Sequence, residues 1–338
     1  MTLVMGCDPH LDRFAVAVVD DLDRVVAEAV LGNDPAGWDQ AVVLTADHGV
    51  SRVGIEGASG HGRCLAAVLT AAEITVVEVP TRVTVKTRRI DGASKNDPGD
   101  ARAIARALWR DEGSRWVNDP TREALRVVSH RRDALVRQQT TDINTLRCLL
   151  EEVDPQLAAG TGRIRTRRAL VAFTEVSYTD DLHQVTVTDM IRRLAGTCVR
   201  RYDEITDLKT RLEQLMPAAG QRLINEIQGV GVVTAAMLLA ELAGTEGFTT
   251  DAKMAMWAGT APLDASSGRQ QRHRLNRYGN RQANRAIWII ALTQLRHGGE
   301  GAVYIHRRIT EGKTQREAIR ALKRHITRRI WRTLNKPT

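Results

Sequence analysis

Thr2-Leu3-Val4-Met5-Gly6-Cys7-Asp8 and Arg52-Val53-Gly54-Ile55-Glu56 are two short apolar runs that each end on a carboxylate. Runs of this length and composition, bounded by turn formers, read as buried strands. Outward from the first, residues 14–19 and 24–30 repeat the pattern with Asp, Pro and Asn between the runs, which predicts three antiparallel strands in succession. Outward from the second, residues 35–47 and 61–72 read as helices and 74–79 as another strand. Strands that first meander and then alternate with helices predict a mixed α/β sheet with helices on its faces. Around residues 94–110 the spacing turns helical, with Ala101, Ile104, Ala105 and Leu108 on one side.

Beyond this N-terminal α/β region (1–120) the pattern is helical. Residues 121–152 and 189–216 read as long helices. In the second, Ile191, Leu194, Cys198, Ile205, Leu208, Leu212 and Leu215 occupy heptad a and d positions, interrupted only by Arg201. Val136, Ile143, Leu146 and Leu150 give the first a weaker seam. Repeats of this kind favour coiled-coil packing, either as an antiparallel hairpin within the chain or between subunits, with 154–181 as the hairpin tip. Residues 121–216 are therefore read as coiled-coil and oligomerisation helices, and 217–338 as an all-α C-terminal domain.

The 338 residues carry 49 Lys and Arg against 40 Asp and Glu, and the 43% hydrophobic content is that of a globular protein, which excludes wholesale disorder. No run approaches the roughly 20 apolar residues of a membrane span, and residues 1–4 do not open a leader, so a cytoplasmic, nucleoid-associated protein is expected. Cys7, Cys64, Cys148 and Cys198 lie far apart, which fits reduced thiols better than a zinc site. The positive charge has a location. Residues 268–338 hold 18 basic and 3 acidic residues, against a mildly acidic remainder, which predicts a C-terminal nucleic-acid surface.

Acids at strand ends are usually solvated caps, and in Lys95-Asn96-Asp97-Pro98-Gly99-Asp100-Ala101 the acids also suit the first turn of a helix. Asp97 and Asp100 nevertheless stand three apart and face one side. Asp8, Glu56, Asp97 and Asp100 on two strands and one helix are the hard oxygen donors that a two-metal phosphoryl-transfer centre needs, with Mg²⁺ or Mn²⁺ as the ion. Acids at the first and fourth strand ends followed by an acidic helix make a ribonuclease-H-like layout.

Gly229-Val230-Gly231 lies between two helical stretches. It reads either as a helix C-cap or as a helix-hairpin-helix whose turn amides hold a phosphate. Ala265-Ser266-Ser267-Gly268 is by default a flexible turn. Its sequel, Arg269-Gln270-Gln271-Arg272-His273-Arg274-Leu275-Asn276-Arg277, continues to Arg281, Asn284 and Arg285 and is dense enough in cations to bind phosphates. A serine beside it is a candidate nucleophile.

Taken together these residues resemble the IS110-family transposases of bacterial insertion sequences, over nearly the whole chain. The N-terminal part resembles the family's RuvC-like domain, with Asp8, Glu56, Asp97 and Asp100 at its four acidic DEDD positions. The C-terminal part is similar to its second domain through Gly229–Gly231, Trp257-Ala258-Gly259-Thr260-Ala261-Pro262, Ser267-Gly268 and Arg277-Tyr278-Gly279-Asn280-Arg281-Gln282-Ala283-Asn284-Arg285, in that order. The resemblance implies a DNA recombinase whose acidic centre binds Mg²⁺ and whose serine forms a transient 5′-phosphoserine link. Ser267 rather than Ser266 is implied, because the family serine immediately precedes glycine. It further implies a structured noncoding guide RNA that pairs with donor and target DNA, and a dimer or tetramer formed through coiled-coil helices. Lys95, Gly229, Gly231, Arg269, Arg272, His273, Arg274, Asn276, Arg277, Arg281, Asn284 and Arg285 are the candidate nucleic-acid contacts. Two alternatives remain at this stage: a Holliday-junction resolvase or related nuclease that uses water, and a non-catalytic nucleic-acid-binding protein.

Overall fold

A computed structural model describes residues 2–90, 97–160, 164, 166–179, 181–242, 247–264, 273, 274, 276 and 279–336. The chain divides into two compact units, Met1–Glu123 with Leu242–Trp257, and Ala124–Glu241 with Ala258–Thr338.

In the first unit the elements run β1 (Leu3–Pro9), β2 (Arg13–Asp20), β3 (Val25–Gly32), α1 (Pro35–Asp47), β4 (Arg52–Ile55), α2 (Arg63–Ala71), β5 (Thr75–Glu78), α3 (Thr81–Ile90), α4 (Asp97–Trp109) and β6 (Ser114–Arg115). The sheet order is β3-β2-β1-β4-β5-β6. β1, β2 and β3 are antiparallel neighbours, β1–β4 and β4–β5 are parallel, and β6 returns antiparallel on β5. This is the mixed, ribonuclease-H-like sheet that the alternation predicts, with α3 and β6 added. The β-branched spacing of Val83, Thr84 and Val85 hides α3 from a reading by propensity, yet Val83 packs onto the α4 side of the sheet.

Alternation along β1 sorts its side chains between two cores. Met5 and Cys7 join Phe14, Val53, Ile55, Leu65 and Leu69 on the face covered by α1 and α2. Val4 joins Ala15, Ala17, Val19, Ala101, Ile104, Ala105 and Leu108 on the face covered by α4. α1 starts on Asp34, whose carboxylate accepts the Gly37 N–H at 2.9 Å, with Pro35 in the first turn.

The remaining elements are α5 (Pro120–Val153), α6 (Pro155–Gly160), α7 (Arg167–Ala172), α8 (Leu182–Gln214), α9 (Ala218–Glu226), α10 (Val232–Glu241), α11 (Asp251–Trp257), β7 (Leu263–Asp264), β8 (His273–Arg274), α12 (Arg281–His297), α13 (Glu300–Thr310) and α14 (Gln315–Leu334). In the second unit α5 and α8 pair with each other in antiparallel fashion. Leu125 clusters with Leu212, Arg131 donates to Glu204 at 2.8 Å, Gln139 Nε2 donates to the Cys198 carbonyl at 3.1 Å, and Leu146 and Leu150 pack with Ile191 and Val187. Of the two partners open to the heptad seam, the seam residues Ile191, Cys198 and Leu212 thus have one within the chain. Arg201, the polar interruption, is neutralised by Asp142. Leu170, Phe173 and Ile164 close the end of the pair, where the hairpin tip was expected. Among the described residues no helix is long and apolar enough to cross a membrane.

Candidate active site

Asp8 and Glu56 are neighbours because β1 and β4 are parallel in the register Gly6↔Gly54 and Cys7↔Ile55, and the Glu56 N–H donates to the Cys7 carbonyl at 3.2 Å. By alternation Gly6 and Asp8, like Gly54 and Glu56, point to the α4 face. The glycines set how close α4 comes. A Cβ on Gly6 would lie 2.1 Å from the Ala101 carbonyl oxygen and 2.4 Å from the Ala105 nitrogen, and one on Gly54 would lie 2.9 Å from Ile104 Cγ2. With that contact made, the first turn of α4 carries Asp97 and Asp100 to the end of β1. The N-terminal helix dipole favours carboxylates there.

Here Asp97 comes within ligand distance of Asp8, and Glu56 and Asp100 lie near enough for their charges to act on it. Burial pushes the Asp8 carboxyl up to about 6; His10 opposes that shift, and the neighbouring Glu56, Asp100 and Asp97 charges add to it. Crowded carboxylates require cationic company. Arg88 of α3 pairs with Asp100, Arg13 Nη2 stands 3.3 Å from Asp97 Oδ2, and His10 Nε2 lies 3.5 Å from Asp8 and 3.4 Å from Asp97. Asp8, His10 and Asp97 each offer a ligand atom, all within 4.8 Å of one another. A hard-oxygen donor set with excess negative charge fits a divalent cation of the Mg²⁺ or Mn²⁺ type.

Three of these participants, His10, Arg13 and Arg88, were not picked out by spacing. His10 had a signal, since it stands two residues beyond Asp8 and thus on the same side of the chain. Glu78 is a fourth. It closes β5 beside β4, and its carboxylate accepts the Gly57 and Ser59 N–H groups, each at 3.1 Å, in the turn that directly follows Glu56. Burial pushes its carboxyl up to about 7 against the pull of those donors. Glu78→Ala should therefore loosen Glu56 and lower divalent-ion affinity roughly 10–100-fold, as loss of an outer-shell partner does. Mn²⁺ titration measures it, and unchanged affinity would separate Glu78 from the site.

The raised carboxyls also predict a pH dependence. Asp8 and Glu78 bind protons more tightly folded than unfolded, so their contribution to stability is full below about pH 4 and is lost as pH rises through about 6 and about 7. In chelator, the melting temperature of the N-terminal unit should fall by roughly 5 °C or more between pH 5 and 8. Saturating Mg²⁺ should flatten that fall.

In the second unit, Ser266, Ser267, Gly268, Arg269, Arg272 and Arg277 lie outside the described residues, as does Lys95 of the first. The antiparallel β7–β8 ladder, with Leu263↔Arg274 and Asp264↔His273, brackets Ser267 in sequence and contains His273 and Arg274. Behind it the motif residues are interlocked. Gly259 (φ +66°) abuts Gly279, and Asn284 donates to the Ala258 and Gly259 carbonyls at 2.7 and 3.0 Å. The buried Lys323 ammonium, which burial lowers to about 8, donates to Asn284 Oδ1. Thr260 and Thr327 share a buried hydrogen bond of 2.8 Å. Asn276 is buried, Arg285 pairs with Asp133, and Arg281 is exposed at the start of α12. Gly229 (φ +84°) is packed under the Ile290 carbonyl of α12, whereas Gly231 is open.

Two family models match the chain in succession. The DEDD model of the IS110 family, described as Transposase, matches residues 5–155, and the model described as Transposase IS116/IS110/IS902 family matches residues 221–306. An uncharacterized 42 kDa protein of insertion element IS900 from Mycobacterium paratuberculosis is 26% identical, over 96% of this chain and 93% of its own length. The mini-circle putative transposase for IS117 of Streptomyces coelicolor is 25% identical, over 91% and 88%. Among solved structures, T. thermophilus RuvC in complex with Holliday junction substrate is similar at 15% identity and a TM-score of 0.28, over 33% of this chain and 95% of that one. With two models of one family matched in order across more than two thirds of the sequence, this chain belongs to the IS110 family of insertion-sequence transposases.

Proposed function

We propose that the protein catalyses DNA strand cleavage and exchange at insertion-sequence ends, using Asp8, Glu56, Asp97 and Asp100 as a divalent-metal centre and Ser267 as nucleophile. The observation that carries the reading is the convergence of four carboxylates at one end of β1, where burial and mutual repulsion hold the Asp8 carboxyl at about 6. A bound divalent ion supplies charge neutralisation and orientation for a scissile phosphate. The acids hold it, the glycine-set contact of β1 and α4 fixes their spacing, and Glu78 anchors the turn after Glu56.

Ser267 Oγ bonds to phosphorus as the bond to the 3′ oxygen breaks, which leaves a 5′-phosphoserine and a free 3′ hydroxyl. Reversal onto another strand restores a phosphodiester, so no nucleotide hydrolysis is required. The basic residues of 268–338 hold the DNA backbone beside it. A structured noncoding RNA guides the choice of donor and target. The protein works in the bacterial cytoplasm on nucleoid DNA, as a dimer or tetramer whose subunits meet through the α5–α8 helices. Family membership supports these statements.

Ser267→Ala should abolish strand exchange, and Ser266→Ala should leave it within about threefold of wild type. A water-using resolvase would cleave equally well with alanine at 267, and that result would replace the proposal.

A further inference from the structure

We propose that His10 is itself a ligand to the cation held between Asp8 and Asp97, and that it biases this position toward first-row transition ions such as Mn²⁺ over Mg²⁺. The inference rests on reading the acidic cluster as a metal centre, and adds a nitrogen donor that the four-acid pattern lacks.

His10 Nε2 lies 3.5 Å from Asp8 Oδ2 and 3.4 Å from Asp97 Oδ1, and the ligand atoms of the three residues lie within 4.8 Å of one another. Those separations are long for hydrogen bonds between charged groups, which close to about 2.7–2.9 Å. They approach the edge of a coordination shell, since an ion bound at 2.0–2.1 Å sets adjacent donors about 3 Å apart.

The loop that carries His10 is also held. The His10 backbone N–H donates to the Arg13 carbonyl at 2.8 Å, and Asn33 Nδ2 donates to the His10 backbone carbonyl at 2.7 Å. Asn33 is fixed in turn, because it also donates to the His61 carbonyl at 3.1 Å and its Oδ1 accepts Trp38 Nε1–H at 2.8 Å. Pro9 limits the backbone between Asp8 and His10. A ligand that does not reorganise on binding raises affinity, and these contacts bring that condition to the loop between β1 and β2. Mg²⁺ takes oxygen donors and gives up water reluctantly, whereas imidazole nitrogen suits transition ions. One nitrogen among carboxylates therefore changes which ion is preferred.

The test uses the full-length protein freed of metal by chelation and loaded with substoichiometric Mn²⁺. Pulsed electron paramagnetic resonance should show ¹⁴N modulation from one imidazole in the wild type and none in His10→Ala. The ratio of Mn²⁺ to Mg²⁺ affinity should fall about tenfold or more in His10→Ala, while its circular-dichroism spectrum in chelator matches that of wild type, because the side chain is about half exposed. Bound Mn²⁺ without nitrogen coupling in the wild type would overturn the inference and leave an all-carboxylate centre, with His10 only a countercharge. An unchanged affinity ratio in His10→Ala would overturn it as well. Absence of Mn²⁺ binding at the cluster would overturn both the inference and the metal centre it rests on.

Discussion

Asp8→Asn is expected to reduce DNA strand cleavage about a thousandfold or more and to make the metal-free protein more stable. The two effects have one cause. Asp8 is held largely out of water among Glu56, Asp97 and Asp100, so its ionised form is disfavoured until a cation arrives. An amide of the same shape removes that penalty. At pH 8 in chelator the variant should therefore melt a few degrees above wild type. It should also lack the upward shift that Mg²⁺ gives wild type, since binding to the folded state is what raises the melting point. The loss of rate corresponds to about 4 kcal/mol of transition-state stabilisation, a normal share for metal-held charge. Calorimetry and single-turnover cleavage on the same preparations check both halves. Retained cleavage would remove Asp8 from the chemistry, and lower stability in chelator would mean that the cluster is not electrostatically strained.

The second large effect is structural. Gly6→Val should unfold the N-terminal unit or detach α4 from the sheet. The first atom of the new side chain would already sit 2.1 Å from the Ala101 carbonyl oxygen and 2.4 Å from the Ala105 nitrogen, both backbone atoms that no rotamer change moves aside. Overpacking typically costs 1–3 kcal/mol, and about 3 kcal/mol or more is expected where backbone meets backbone. Gly6→Ala is the milder form. Where it folds, a shift of about 1 Å in Asp97 and Asp100 should still lower cleavage about a hundredfold. Gly60→Ala serves as the control, because its Cβ would meet only the Gly57 carbonyl oxygen at 3.4 Å. Thermal melts and limited proteolysis separate these variants, and a wild-type melt for Gly6→Val would show that the β1–α4 contact is looser than described.

The parts of this fold that sequence reveals are those where one periodicity dominates. β1, β2, β4 and β5 are apolar runs with turn residues between them, and α4 presents Ala101, Ile104, Ala105 and Leu108 at helical spacing. Asp8 and Glu56 were legible because each ends such a run. α3 and α13 were not, since each is short and depends on tertiary packing for its conformation, and α3 is strongly polar as well. The heptad seam of α8 marks a buried face without naming what covers it, so only the structure selects α5. Arg88 and Glu78 were missed for a different reason: each acts on the acids across the fold, through an ion pair or a turn, and a one-dimensional pattern carries no trace of Arg88 meeting Asp100 or of Glu78 holding Gly57. The signal for Glu78 was the same as for Glu56, a carboxylate closing a strand, but only β-sheet register ties the two together.

The most direct test of a metal centre working with a serine is recovery of the covalent protein–DNA intermediate. Wild-type protein would be incubated with insertion-sequence-end DNA, the element's transcript and Mg²⁺, quenched in denaturant, digested and searched by mass spectrometry for a phosphorylated Ser267 peptide carrying nucleotide. The predicted result is an adduct on Ser267 in the wild type that disappears in chelator and in Asp8→Asn. Cleaved DNA with free 5′ phosphates and no adduct, or an adduct that survives Asp8→Asn, would contradict the proposed union of the four carboxylates with Ser267.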